Sequence, residues 1–178
     1  AKNEIKIKIM PGLSPLGELG LVHQFGDVLK PRMPGKEIFL AFKRRLLLTR
    51  VRIVCVNCGD YTLAKTVSDI EQQPECPKCT SRMMAVTRKS NVNAVNIVKK
   101  KLKKKELSEE EMKEFLNIRR SADLVIVYGK RAAIALAGHG IGPQTAARVL
   151  AMQYPKDKFF SAILNAEKEF ARTKKYWK

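Results

Sequence analysis

The chain has 178 residues, and 35 Lys and Arg against 17 Asp and Glu leave a formal charge of +18. That length holds one ordinary domain or two to three small modules, and a charge surplus of this size persists best where a polyanion, most commonly nucleic acid, neutralises it. No membrane or secreted class is expected, since no apolar run approaches the roughly 18 residues that span a bilayer, no lipidation motif stands in the sequence and Ala1-Lys2-Asn3-Glu4 carries no secretory core; the expectation is a cytoplasmic protein.

Taken in chain order, Ile5-Lys6-Ile7-Lys8-Ile9 alternates apolar and basic residues before Pro11-Gly12, the pattern of a half-buried strand ended by a turn. Proline and glycine then break the chain as far as Pro34, and Lys36 to Leu48 turns helical, with Ile38, Phe39, Phe42 and Leu46 on one side. Residues 1–49 therefore read as a strand and helix segment, the tail of a preceding domain. Residues 50–88 carry all four cysteines, as Cys55-Val56-Asn57-Cys58 and Cys76-Pro77-Lys78-Cys79 with 17 residues between the pairs. Two C-x-x-C pairs at this spacing are a zinc-ribbon pattern. Four thiolates complete the tetrahedral sphere of one Zn(II), so the ion serves structure and leaves no position open for substrate. Strands are expected at Arg50–Val56, Tyr61–Val67 and Met83–Thr87. Gly59 and Thr80-Ser81 follow the two pairs, where backbone N–H groups can point at sulfur and favour thiolate.

Residues 89–178 read as helical. Val95, Val98 and Leu102 form a stripe on a helix that ends in Lys99, Lys100, Lys101, Lys103, Lys104 and Lys105, the densest charge in the chain. Ser108 and Glu111 make a capping box for a second helix, expected to run to about Ala137 with a kink near Ser121. Gly138-His139-Gly140-Ile141-Gly142-Pro143 interrupts the pattern, and a third helix starts at Gln144-Thr145. Glycines close one helix and Pro143 opens the next, which presents unpaired N–H groups in a geometry suited to phosphate. Lys130, Arg131 and Arg148 flank that turn. A last helix from about Asp157 to Thr173 carries Phe160, Ile163, Leu164, Ala166, Phe170 and Ala171 as its core face; Phe159, Tyr176 and Trp177 suit packing or base stacking. The fold class is thus α+β.

Gly140-Ile141-Gly142 followed by Thr145-Ala146-Ala147 resembles the helix-hairpin-helix family, whose hairpin amides grip a backbone phosphate without reading base sequence. From about Arg52 onward, the chain is similar to the C-terminal region of archaeal large helicase-related (Lhr-type) superfamily-two helicases. The similarity rests on Val51-Arg52-Ile53-Val54-Cys55-Val56-Asn57-Cys58-Gly59, Cys76-Pro77-Lys78-Cys79, Tyr128-Gly129-Lys130-Arg131-Ala132, Gly138-His139-Gly140-Ile141-Gly142-Pro143-Gln144-Thr145-Ala146-Ala147-Arg148 and Ala166-Glu167-Lys168-Glu169-Phe170-Ala171-Arg172-Thr173. In that family the region follows two RecA-like motor domains and a winged helix. No G-x-x-x-x-G-K-[ST] loop stands in this sequence to cradle a nucleotide. The resemblance implies a non-catalytic accessory region of an ATP-dependent helicase in DNA repair or RNA decay, with nucleic acid, helicase motor domains and an exonuclease as partners. The alternative is an adapter docking a motor on a nuclease or other partner. Candidate nucleic-acid contacts are Gly140, Ile141, Gly142, Gln144, Thr145, Lys130, Arg131, Arg148 and the six lysines from Lys99 to Lys105.

Overall fold

The computed structural model describes residues 35–174; the strand expected at Ile5–Ile9 and the aromatic residues Tyr176 and Trp177 lie outside them. Among the described residues the fold is α+β, with six α-helices and one three-stranded antiparallel sheet. Helix α1 (Lys36–Leu48) buries Phe39, Phe42 and Leu46, spaced to share one side of a helix, and leaves Ile38 exposed. Its end is tied by Thr49, whose hydroxyl donates to the Arg45 carbonyl at 2.8 Å.

Strand β1 (Arg50–Cys55) is central, between β2 (Thr62–Thr66) and β3 (Met84–Arg88). Its register sets Ile53 opposite Leu63 on one side and Val86 on the other. Because successive strand residues face opposite ways, β1 feeds two cores. Val51, Ile53 and Cys55 join α1 and the C-terminal helices, whereas Val54 and Val56 pack with Ala94, Ile97, Val98, Phe115, Ile118 and Ala122. The sheet is therefore a wall buried on both sides, and the first core runs without interruption from the cysteine segment into the last helix.

Helix α2 (Ala94–Leu102) buries Ala94, Ile97 and Val98. Leu102, expected on the same stripe as Val98, is 46% exposed instead. The chain leaves α2 through a Schellman turn, in which Lys105 N–H donates to the Lys100 carbonyl at 2.9 Å and Lys104 N–H to the Lys101 carbonyl at 3.1 Å. Lys104 occupies the left-handed position at φ 57°, where glycine is usual.

Helix α3 (Glu109–Tyr128) starts at the expected capping box: Glu111 N–H donates to Ser108 Oγ, and Ser108 N–H to the Glu111 carboxylate, each at 3.1 Å. The expected kink near Ser121 and the continuation to Ala137 are not found. Ser121 is buried, accepts the Val86 N–H at 2.7 Å and donates to the Val86 carbonyl at 3.0 Å, so it seals the outer edge of β3 from a regular helix. The break comes at Gly129, whose φ of 60° stops α3, and α4 (Lys130–Leu136) begins at once. A side chain there would collide with the Gln72 carbonyl, and Lys130 N–H bonds that same oxygen at 3.0 Å. The helix is interrupted because the loop after β2 docks on it.

Helix α5 (Pro143–Ala151) and helix α6 (Lys156–Lys174) complete the chain. Helix α6 buries every residue from Phe159 to Ala166, a wider face than its periodicity suggests, while Ala171, expected in the core, is exposed.

Candidate functional site

Cys55 ends β1, Cys58 follows it in the turn, and Cys76 and Cys79 occupy the second turn before β3. The two turns repeat one geometry. Gly59 N–H donates to the Cys55 carbonyl at 3.1 Å and Thr80 N–H to the Cys76 carbonyl at 2.8 Å, with φ of 71° and 62° respectively. All four Sγ atoms lie within 4.8 Å of one another, with Cys55–Cys79 at 3.6 Å and Cys58–Cys76 at 3.8 Å. A tetrahedral centre with metal–sulfur bonds near 2.3 Å has edges of about 3.8 Å, so the cluster fits a single structural metal ion.

The surroundings also prepare thiolate. Cys58 N–H points at Cys55 Sγ, Asp60 N–H at Cys58 Sγ and Lys78 N–H at Cys76 Sγ, at 3.4–3.5 Å. The Asn57 amide donates to Cys79 Sγ at 3.4 Å and is the main reason its thiol is lowered to about 6. Burial pushes the Cys55 thiol up to about 12 and raises Cys58 as well. Ion binding therefore displaces protons from the inner sulfurs and exploits an outer one already disposed to ionise.

The first cysteine turn leans on α2. A Cβ at Gly59 would lie 3.1 Å from Leu102 Cδ1 and 3.3 Å from Lys99 Cγ, so the cysteine cluster abuts the lysine-rich end of that helix. Lys99, Lys100, Lys103 and Lys105 line a basin of about 520 Å³ with Asn93 and Asn96. Lys100 pairs with Glu111 at 2.7 Å, and Lys101 lies over the Phe115 ring, 5.6 Å from its centroid. Among the described residues Lys103, Lys104 and Lys105 make no ion pair.

Between α4 and α5 the glycine turn is held from α6. The Glu167 carboxylate accepts the His139 N–H at 2.7 Å and the Arg45 guanidinium at 2.5 Å, tying the turn to both α6 and α1. Gly140 has φ of 76°, and a Cβ on it would fall within 2.6 Å of three carbons of the Phe170 ring. Ile141 is buried and its N–H goes to the Gly138 carbonyl at 3.1 Å, so its backbone donor is already committed. Gly142 is open, with nothing within 4 Å of its missing side chain. The α5 N-terminus has no side-chain cap, and the N–H groups of Gly142, Gln144 and Thr145 find no acceptor among the described residues.

The flanking cations divide. Lys130 Nζ donates to the Ser68 carbonyl at 2.8 Å; Arg131 donates to the Tyr154 carbonyl at 2.9 Å and stacks 4.0 Å from the centroid of Phe159. Both brace the fold, and Phe159, itself 1% exposed, packs rather than stacks on a ligand. Arg148 stays exposed without an ion pair among the described residues.

The turn does not stand alone. It lines a groove of about 910 Å³ together with Arg50, Arg88 and Lys89, at the margin of the sheet; Arg50 donates to the Ala64 carbonyl at 3.2 Å, whereas Arg88 and Lys89 make no ion pair among the described residues. Sequence reasoning missed these three, since no motif joins them to the turn; their signal was only that basic residues bracket β1 and β3. Among the described residues no helix is long and apolar enough to cross a membrane. Compared with protein-family models, curated proteins and solved structures, the chain matches none.

Proposed function

We propose that this chain is a non-catalytic nucleic-acid-binding accessory region of an ATP-dependent helicase of the Lhr type, ordered by one structural zinc ion and binding phosphate backbone without base specificity. The observation that carries the reading is the groove that the open N-terminus of α5 shares with Arg88 and Lys89, two exposed cations without an ion pair among the described residues. Free N–H groups at a helix N-terminus attract anions, and Arg88 and Lys89 in the same groove add the long-range attraction a polyanion needs. The +18 charge agrees with that partner. In this reading α4, the glycine turn and α5 act as a helix-hairpin-helix-like element. Zinc is the ion that best suits four thiolates at tetrahedral spacing, and its part is to hold the first cysteine turn against α2.

The test is Gly142→Ser. The residue has extended backbone, φ −89° and ψ 179°, at the N-cap of α5, where a serine oxygen accepts the N–H groups that phosphate would otherwise take. Stability should hold or rise by a few tenths of a kcal/mol, while affinity for an oligonucleotide, read by fluorescence anisotropy, falls about three- to tenfold at fixed salt. Unchanged affinity in the folded, zinc-loaded variant would refute the reading. Parent affinity should fall steeply with rising salt.

The alternative of an adapter is favoured by α1, which leaves Leu40 and Leu48 51% and 62% exposed. Capture of a purified motor domain or exonuclease after nuclease treatment, abolished by Leu48→Lys, would support it.

A further inference from the structure

The lysine basin and the glycine-turn groove lie side by side along α3. Glu111 lines the basin; Glu114, Asn117 and Ser121 line the groove, at three- and four-residue steps on one side of the same helix. The chain entering α2 repeats this order, with Asn91 on the groove and Asn93 and Asn96 on the basin. From Glu111 to Ser121 the axial distance is about 15 Å at ~1.5 Å per residue. We infer that a single nucleic-acid strand occupies both cavities at once, with one stretch of backbone at Lys103 and Lys105 and another at the α5 N-terminus, Arg88 and Lys89.

The inference rests on the phosphate-binding reading of the groove and adds its path and length. Charge sets the ends: each cavity carries cations that make no ion pair among the described residues, Lys103 and Lys105 in one, Arg88 and Lys89 in the other. The middle is different. Glu111 is neutralised by Lys100, and the Glu114 carboxylate accepts the Asn91 amide at 3.0 Å, leaving Glu114 and Asn117 as a polar wall without a cation. Phosphate is disfavoured there, whereas the hydroxyl and amino groups of sugars and bases can bond a carboxylate and an amide. At the ~3.4 Å spacing of phosphates along one stacked strand, 15 Å corresponds to about four to five nucleotides before either cavity is filled. Strands of about four nucleotides, with three such steps or about 10 Å, fall short of that distance, and strands of about twelve exceed it.

The experiment measures anisotropy of oligocytidylates of about 4 and about 12 nucleotides, whose ribose hydroxyls and base amino groups can meet the polar middle, on the full zinc-loaded chain, its Lys103→Glu/Lys105→Glu variant and its Gly142→Ser variant. The lysine reversal should weaken the longer probe about tenfold or more and the shorter one less than about twofold, while Gly142→Ser weakens both. The milder pair Lys103→Gln/Lys105→Gln gives the same pattern at reduced size and serves if the reversal disturbs the end of α2. Equal loss on both probes, or no loss on either, overturns the single path. If the parent protein binds neither probe, or if Gly142→Ser leaves both unchanged, the phosphate-binding reading itself fails.

Discussion

Gly140→Ala places a methyl group in two kinds of conflict at once. The backbone there has φ of 76°, where an L-residue costs about 1–2 kcal/mol relative to glycine. The new carbon would also fall within 2.6 Å of three carbons of the Phe170 ring, and forcing such an overlap open costs about 1–3 kcal/mol more. Together the loss is about 2–5 kcal/mol, a drop in Tm of about 4–20 °C for a chain of this size. Thermal unfolding of the zinc-loaded protein, followed by circular dichroism, reads it directly. Phe170→Ala in the same chain should recover the overlap part but not the backbone part, so the double-mutant cycle yields a coupling of about 1–3 kcal/mol. Gly142→Ala is the control: its site is open and its backbone extended, so stability should stay within about 1 kcal/mol of the parent. If Gly140→Ala were no more damaging than Gly142→Ala, the role of α6 in shaping the turn would be refuted.

Ser121→Ala leaves the N–H and carbonyl of Val86 unpaired beneath α3, and should cost about 1–3 kcal/mol in urea unfolding; a loss below about 0.5 kcal/mol would mean the strand edge is not sealed this way. Lys104→Gly relieves the left-handed residue of the Schellman turn and should raise stability by about 1 kcal/mol, seen as a higher urea midpoint with unchanged slope. The Glu111 carboxyl is held below its usual 4.5 first by the Lys100 ammonium and then by the Ser108 N–H. Its folded pKa is depressed, so its contribution is complete above about pH 4.5 and is lost as pH falls through the folded value. The Ser108 amide resonance should therefore titrate below pH 4.5, whereas in Glu111→Gln it should not move in that range.

Local pattern was enough for much of this molecule. The spacing of Cys55, Cys58, Cys76 and Cys79 identified one metal-fitting cluster, because each C-x-x-C turn fixes its own pair of sulfurs, and the pairing of β1 with β3 then brings the two pairs together. Helix α1 and the start of α3 were equally plain, since Phe39, Phe42 and Leu46 repeat at helical spacing and the Ser108–Glu111 box is a contact across three residues. Tertiary structure decided what no short window contains. Ser121 looks like a weak point in a helix until β3 supplies its partners, and Gly129 becomes the break only because Gln72 approaches it. Lys130 and Arg131, cationic neighbours of the turn by sequence, are drawn to carbonyls at Ser68 and Tyr154, as Arg50 is to that of Ala64, while Arg88 and Lys89 reach the groove wall from another part of the chain. Contacts within a few residues are set by backbone geometry and can be read from spacing. Contacts across dozens of residues depend on how the sheet and helices pack, which alone determines which charges are consumed by the fold and which remain for a partner.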